Sequence, residues 1–96
     1  MSAYIVFVRN KTRDPAPLAQ YAALASKAPV GKLEILASKT CKYEVLEGPP
    51  AEAVVIMRFP SMADAMAWYR SDEYQQALQH RKKAGDYQAF VVEGVS

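Results

Sequence analysis

A chain of 96 residues with 12 Lys and Arg against 10 Asp and Glu, net charge +2, has the size of one domain and no excess of charge that points to nucleic acid. Half of its residues are hydrophobic, enough for a core, yet no apolar run approaches the roughly 20 residues that would cross a bilayer. Cys41 is the single cysteine, which leaves no internal disulfide and no zinc-ligand spacing.

The lone thiol, together with an N-terminus that lacks the basic and apolar regions of a signal peptide, makes the reducing cytoplasm the expected compartment. No metal, no cofactor, no membrane and no nucleic-acid partner is expected.

Ala3 to Val8 is apolar, β-branched and aromatic, and predicts a first strand. Asp14-Pro15 then suits a helix start, with Asp14 as cap and Pro15 in the first helical position. Leu18, Tyr21, Ala22 and Ala25 recur at helical spacing, so the helix is expected to run to about Lys27, stopped by Pro29 and Gly31. Leu33 to Ala37 and Tyr43 to Leu46 both look strand-like, and the polar piece Ser38 to Lys42 between them reads as a bulge or a bend in one long strand. Ala53 to Phe59 is the strongest strand signal, and Pro60 ends it. Ser61 with Asp64 forms an acidic capping box, opening a helix with the stripe Met62, Ala65, Met66 and Tyr69. Ser71 starts a second helical segment, with Asp72 and Glu73 at its positive end, Arg81-Lys82-Lys83 at its negative end and Gly85 as a C-terminal cap. Tyr87 to Val92 predicts the last strand.

The order β-α-β-β-α-β is the ferredoxin-like α+β pattern, a four-stranded antiparallel sheet with both helices on one face, over one domain spanning residues 1–96. The first and third strands are expected to be central and mutually parallel. Their sequences do not alternate apolar with polar: Tyr4, Val6 and Val8 oppose Ile5 and Phe7, and Val55, Met57 and Phe59 oppose Val54 and Ile56. A sheet with one wet face should alternate. Both faces therefore read as buried, and because the helices cover one only, a homodimer joined through the other is expected.

Several stretches resemble the DUF1330 family of the dimeric α+β barrel superfamily. They include Tyr4-Ile5-Val6, Asp14-Pro15, Tyr21, Leu46-Glu47-Gly48, Val55 through Ser61, Ala65, the block Trp68-Tyr69-Arg70-Ser71-Asp72-Glu73-Tyr74, Arg81 and Val92-Glu93-Gly94. The resemblance implies a ferredoxin-like subunit, a homodimer and no assigned activity. The chain departs from the family pattern at Arg58, where an acidic residue is usual. It departs again along the second strand, where Gly31-Lys32-Leu33 stands in the region of a Gly-Gly-Arg.

Arg81 is the sharpest candidate for chemistry. With Tyr74, Ala77 and Leu78 it completes an i, i+3, i+4, i+7 stripe, so a fixed cation sits on an apolar face. One reading gives its guanidinium a carboxylate ligand. The other gives it an ion pair with Glu47 or Glu93, or a buried stem with the head in water. Trp68 falls off the stripe of its helix and is expected at the flank, walling a pocket near Ser71 and Tyr74 or packing against a helix or partner chain. Ser71 is a candidate pocket hydroxyl but reads first as an N-cap, and no acid-base partner makes it a nucleophile. His80, the single histidine, is expected to face solvent, and with Glu47 it is a candidate base. Arg9 and Arg58, at the ends of strands expected to be parallel neighbours, would make one end of the sheet basic. A haem-degrading branch of the superfamily places a histidine where this chain has Leu78, so haem is not expected.

These observations support three readings. The first is a homodimer binding a small organic ligand, with an anion as one class, in a pocket between helix and sheet lined by Trp68, Tyr69, Tyr74, Arg81 and His80. The second is a cofactor-free enzyme, monooxygenase-like or isomerase-like, which rests on fold analogy alone. The third is a structural dimer without a pocket.

Overall fold

The computed structural model describes residues 1–28 and 31–95. In chain order the elements are β1 (Ala3–Thr12), α1 (Ala16–Ala25), β2 (Glu34–Ala37), β3 (Ala53–Phe59), α2 (Met62–Arg70), α3 (Asp72–Ala84) and β4 (Gly85–Glu93). The frame is the expected ferredoxin-like α+β one, with its second helix broken in two at Ser71. The strands form one sheet in the order β2-β3-β1-β4.

All three pairings are antiparallel, including β1 with β3. The expectation of parallel central strands is therefore corrected. In a β-α-β-β run the first two strands point the same way without touching, and the third reverses beside the first. As a result Arg9 lies opposite Ala53 while Arg58 lies opposite Tyr4, at the other end of the sheet. The two cations cannot make one basic end together.

Alternation along β1 divides the faces. Ala3, Ile5 and Phe7 are buried against the helices, in one core with Met57, Phe59, Ala65, Trp68 and Tyr74. The opposite face is a grid: Ile56, Val6 and Phe90 form one row across three strands, and Arg58, Tyr4 and Val92 form the next. Phe90 and Val92 are exposed there.

Four local expectations shift. Helix α1 begins one residue late, with Pro15 as its cap, and Asp14 instead accepts a bond from the Ala16 amide at 3.0 Å. The Pro29 expected to stop it lies outside the described residues. Residues 43–46 form no strand: β2 stops at Ala37 after a bulge, and the segment is exposed and pairs with no strand among the described residues. Gly85 is no left-handed cap. At φ −178° it is extended and opens β4, where a side chain would run into the Lys11 carbonyl.

The fourth concerns Trp68, which is in the core rather than at a flank. Helix α2 buries Ala65 and Trp68, and the indole lies 4.2 Å from the Tyr74 ring and 5.7 Å from Phe59 between centroids. Ser71 permits this arrangement. Its hydroxyl accepts from the Tyr74 amide at 3.2 Å and donates to the Trp68 carbonyl at 2.8 Å, ending α2 and starting α3 at one residue. The bend brings the two aromatic rings together, tilted by 36°.

Candidate functional site

A cavity of about 400 Å³ lies between α1 and the helix-facing side of the sheet. Helix α1 exists because Leu18, Tyr21 and Ala25 share one face, yet none of its residues is fully buried. It packs on α3 and roofs the cavity rather than filling it. Phe7, Val55 and Met57 supply the floor, and Trp68 adds an aromatic wall. A space of this size and apolar character suits a small organic molecule.

The polar part of the lining is one-sided. Among the described residues it holds three cations, Arg9, Lys39 and Arg81, and no carboxylate or imidazole. Arg81 is 5% exposed, and its Nε and Nη1 have no hydrogen-bond partner. No acidic side chain among the described residues pairs with it, so the ion pairs considered with Glu47 and Glu93 do not form. What stabilises the charge is indirect. Its guanidinium carbon lies 4.8 Å from the centroid of the Phe7 ring and 4.9 Å from that of Tyr87, and it sits in the last turn of α3, at the negative end of the helix. Neither contribution uses an N–H, so the donors remain free.

Arg9 lies on the same face of β1 as Phe7 and is the cross-strand neighbour of Tyr87. Its Nε is likewise enclosed and unpartnered. Glu52 comes no nearer to it than 3.9 Å, because the same carboxylate oxygen accepts from the hydroxyl and the amide of Thr12, each at 2.7 Å. The Thr12 hydroxyl, then its amide, holds the Glu52 carboxyl below its ordinary value. Beyond Arg81 and Tyr87 a second cleft of about 340 Å³ contains Asp86, and there Asp86 is engaged by Arg13.

Tyr21 contributes a further donor. Its hydroxyl is 3.0 Å from that of Tyr74. Either hydroxyl can donate; Tyr74 is fully enclosed and has no other hydrogen-bond partner for its hydroxyl among the described residues, so the arrangement that satisfies its proton has Tyr74 donating and leaves the Tyr21 proton for the cavity. Burial raises both phenols above their usual pKa. Both stay protonated at neutral pH and serve as donors, not bases.

The remaining candidates are placed elsewhere. Tyr74 supports Trp68 and Tyr21 from behind without lining the cavity, and Ser71 is consumed as a cap. Tyr69 faces a different, smaller space of about 190 Å³ beside Met66 and Phe90. His80 is half-exposed and outside the lining, and Glu47 is exposed on the loop before Gly48. Arg58 lies on the open sheet face, where Glu34 accepts from it with both oxygens at 2.7 Å. That bond, and then the charge of Glu34, raises the arginine pKa. Of the nine candidates, the cavity thus gathers Trp68, Arg81 and Arg9. Sequence reasoning did not select Tyr21 or Tyr87 as site residues. Tyr21 was legible as part of the α1 stripe, but the pairing that sets Tyr87 opposite Arg9 is a tertiary fact.

The family described as Domain of unknown function (DUF1330) matches residues 2–95. Among solved structures the chain is similar to an ethyl tert-butyl ether d (ethd) family protein from Bacillus halodurans. The TM-score is 0.68 at 12% identity, covering 99% of this chain and 100% of that one. It is also similar to a protein of unknown function from Rhodopseudomonas palustris, with a TM-score of 0.67 at 20% identity over 99% of this chain and 83% of the other. At these identities the likeness concerns the fold. No curated protein matches the sequence.

Proposed function

The chain belongs to the DUF1330 family, and from that premise we propose that it is a homodimeric binding protein for small organic anions, held between α1 and the sheet. The observation that carries the reading is Arg81: a guanidinium 5% exposed, with two unpartnered nitrogens, in the wall of an apolar cavity. An unpaired charge out of water costs several kcal/mol, and an arriving anion offsets that cost. The planar fork of an arginine suits a carboxylate. The Tyr21 hydroxyl and the Trp68 and Phe7 rings supply a further donor and an apolar bed for the rest of the molecule.

The dimer reading rests on the open sheet face. Val6 between Ile56 and Phe90, and Tyr4 beside Val92, make an apolar surface that no helix of the chain covers. A second copy packed face to face would remove it from water at about 25 cal/mol per Å². The cofactor-free enzyme reading asks for a base in the cavity. His80 and Glu47, its two candidates, lie outside the lining, which favours binding over catalysis.

The test is a thermal-shift and calorimetric screen of small aliphatic and aromatic carboxylates against the wild type and Arg81→Met. Stabilisation of the wild type alone is the expected result. No response to any carboxylate in the panel would sink the proposal.

A further inference from the structure

We infer that the ligand is a dianion: a small molecule with two acidic groups on an apolar body, one group taken by Arg81 and the other by Arg9 with Lys39. The inference rests on the anion-binding reading of the same cavity and deepens it.

One buried cation would ask for one negative charge. This cavity holds two arginines with enclosed, unpartnered nitrogens, and they come from different elements. Arg81 reaches in from the end of α3, and Arg9 rises from β1. Both flank one ring, since Tyr87 is the cross-strand neighbour of Arg9 and lies under the guanidinium of Arg81. Two like charges around one ring repel when the cavity is empty, and desolvation strengthens that repulsion. The nearby carboxylates neutralise them only in part: Glu52 makes a single long contact with Arg9 at 3.9 Å, and no carboxylate among the described residues pairs with Arg81. Glu52 is bound to Thr12, Asp86 to Arg13 and Glu34 to Arg58. Lys39 adds a third cation to the lining from a turn closed by the Cys41 amide on the Ser38 carbonyl at 3.0 Å. A monoanion on Arg81 leaves Arg9 with only the long contact to Glu52. A dianion pairs both, while the floor of Phe7, Val55 and Met57 takes the body between them.

The experiment is isothermal calorimetry on the full chain with matched pairs that differ by one carboxylate, hexanoate against adipate and benzoate against phthalate and isophthalate. Wild type, Arg9→Met and Arg81→Met are compared, with circular dichroism melts confirming that each variant folds. The expected result is that at least one dianion binds about tenfold or more tightly than its monoanion, as one added charge-assisted contact would give. Arg9→Met should remove that advantage, bringing dianion affinity down to that of the monoanion, whereas Arg81→Met should weaken both. If monoanions bind through Arg81 and no dianion binds more tightly, the dianion inference is overturned and the anion-binding function stands. If no carboxylate of either charge binds the wild type, both are overturned. A dianion advantage that persists in Arg9→Met would also refute the assignment.

Discussion

Arg81 sets a tension between stability and function at the level of one side chain. Its stem lies in the core beside Tyr74 and Leu78, and its head has no counter-charge. Replacing even a buried ion pair with apolar side chains of similar volume is often neutral or stabilising by about 1–4 kcal/mol, and a lone buried charge lacks the attraction that offsets its desolvation. Arg81→Met should therefore melt at a higher temperature than the wild type in the absence of ligand, and differential scanning calorimetry would show it. A lower melting temperature would mean that the guanidinium is a structural element in its own right. The two hydrogen-bonded phenols give a second expectation. Burial raises the pKa of Tyr21 and Tyr74 above the ordinary 10.0. Below pH 10 both states of the protein keep these protons. Above it the unfolded chain releases them while the folded chain holds them, so stability falls as pH rises toward the raised folded values. The slope is about 1.4 kcal/mol per pH unit for each phenol. Urea titrations at a series of alkaline pH values should show that loss, and Tyr74→Phe should flatten it.

The junctions between elements carry most of the local design. Ser71 serves α2 and α3 at once, and it is their bend that lets Trp68 meet Tyr74. Ser71→Ala should cost about 1 kcal/mol, the usual value of a lost N-cap. It should also red-shift the tryptophan fluorescence if the indole loosens, while Ser71→Asp keeps the cap. Gly85 is a second such point. It needs no unusual dihedral, only the absence of a side chain against the Lys11 carbonyl. That contact sits where β1 and β4 shift register between Arg9 and Lys11, close to the cation in the cavity. Strand β2 shows the opposite case, an element that ends early. Tyr43 to Leu46 has the composition of a strand but lies beyond its partner: Ala37 already pairs with Ile56, and β3 begins only three residues earlier, at Ala53.

The whole molecule is a sheet with a filled side and an open one. On the filled side the helices close over Phe7, Phe59 and Trp68 and leave the cavity beneath α1. On the open side Phe90 is 54% and Val92 52% exposed, a degree of apolar exposure that a partner surface would relieve. For the proposed homodimer, Val6→Lys places a charge in the middle of the central row, between Ile56 and Phe90. Sedimentation velocity should then report a monomer for the variant and a dimer for the wild type. A wild type that stays monomeric at tens of micromolar, roughly the range of a weak complex, would refute the assembly without touching the cavity.

What the sequence determined alone was local and periodic. The apolar runs of β1 and β3, the capping serines at 61 and 71, and the Arg81 stripe each rest on neighbours within about two helical turns or one strand. Such signals need no knowledge of the rest of the chain, and with the element order they were enough for the fold. The tertiary structure decided what depends on which distant residues meet. It set β1 against β3, which put Arg9 and Arg58 at opposite ends of the sheet and handed Arg58 to Glu34. It turned Trp68 inward, left residues 43–46 unpaired, and brought Arg9 from one strand and Arg81 from a helix around Tyr87 of another. A charge has the same sequence signature whether it ends in water, in an ion pair or in a cavity. Only the packing of elements far apart in the chain decides which of these surrounds it.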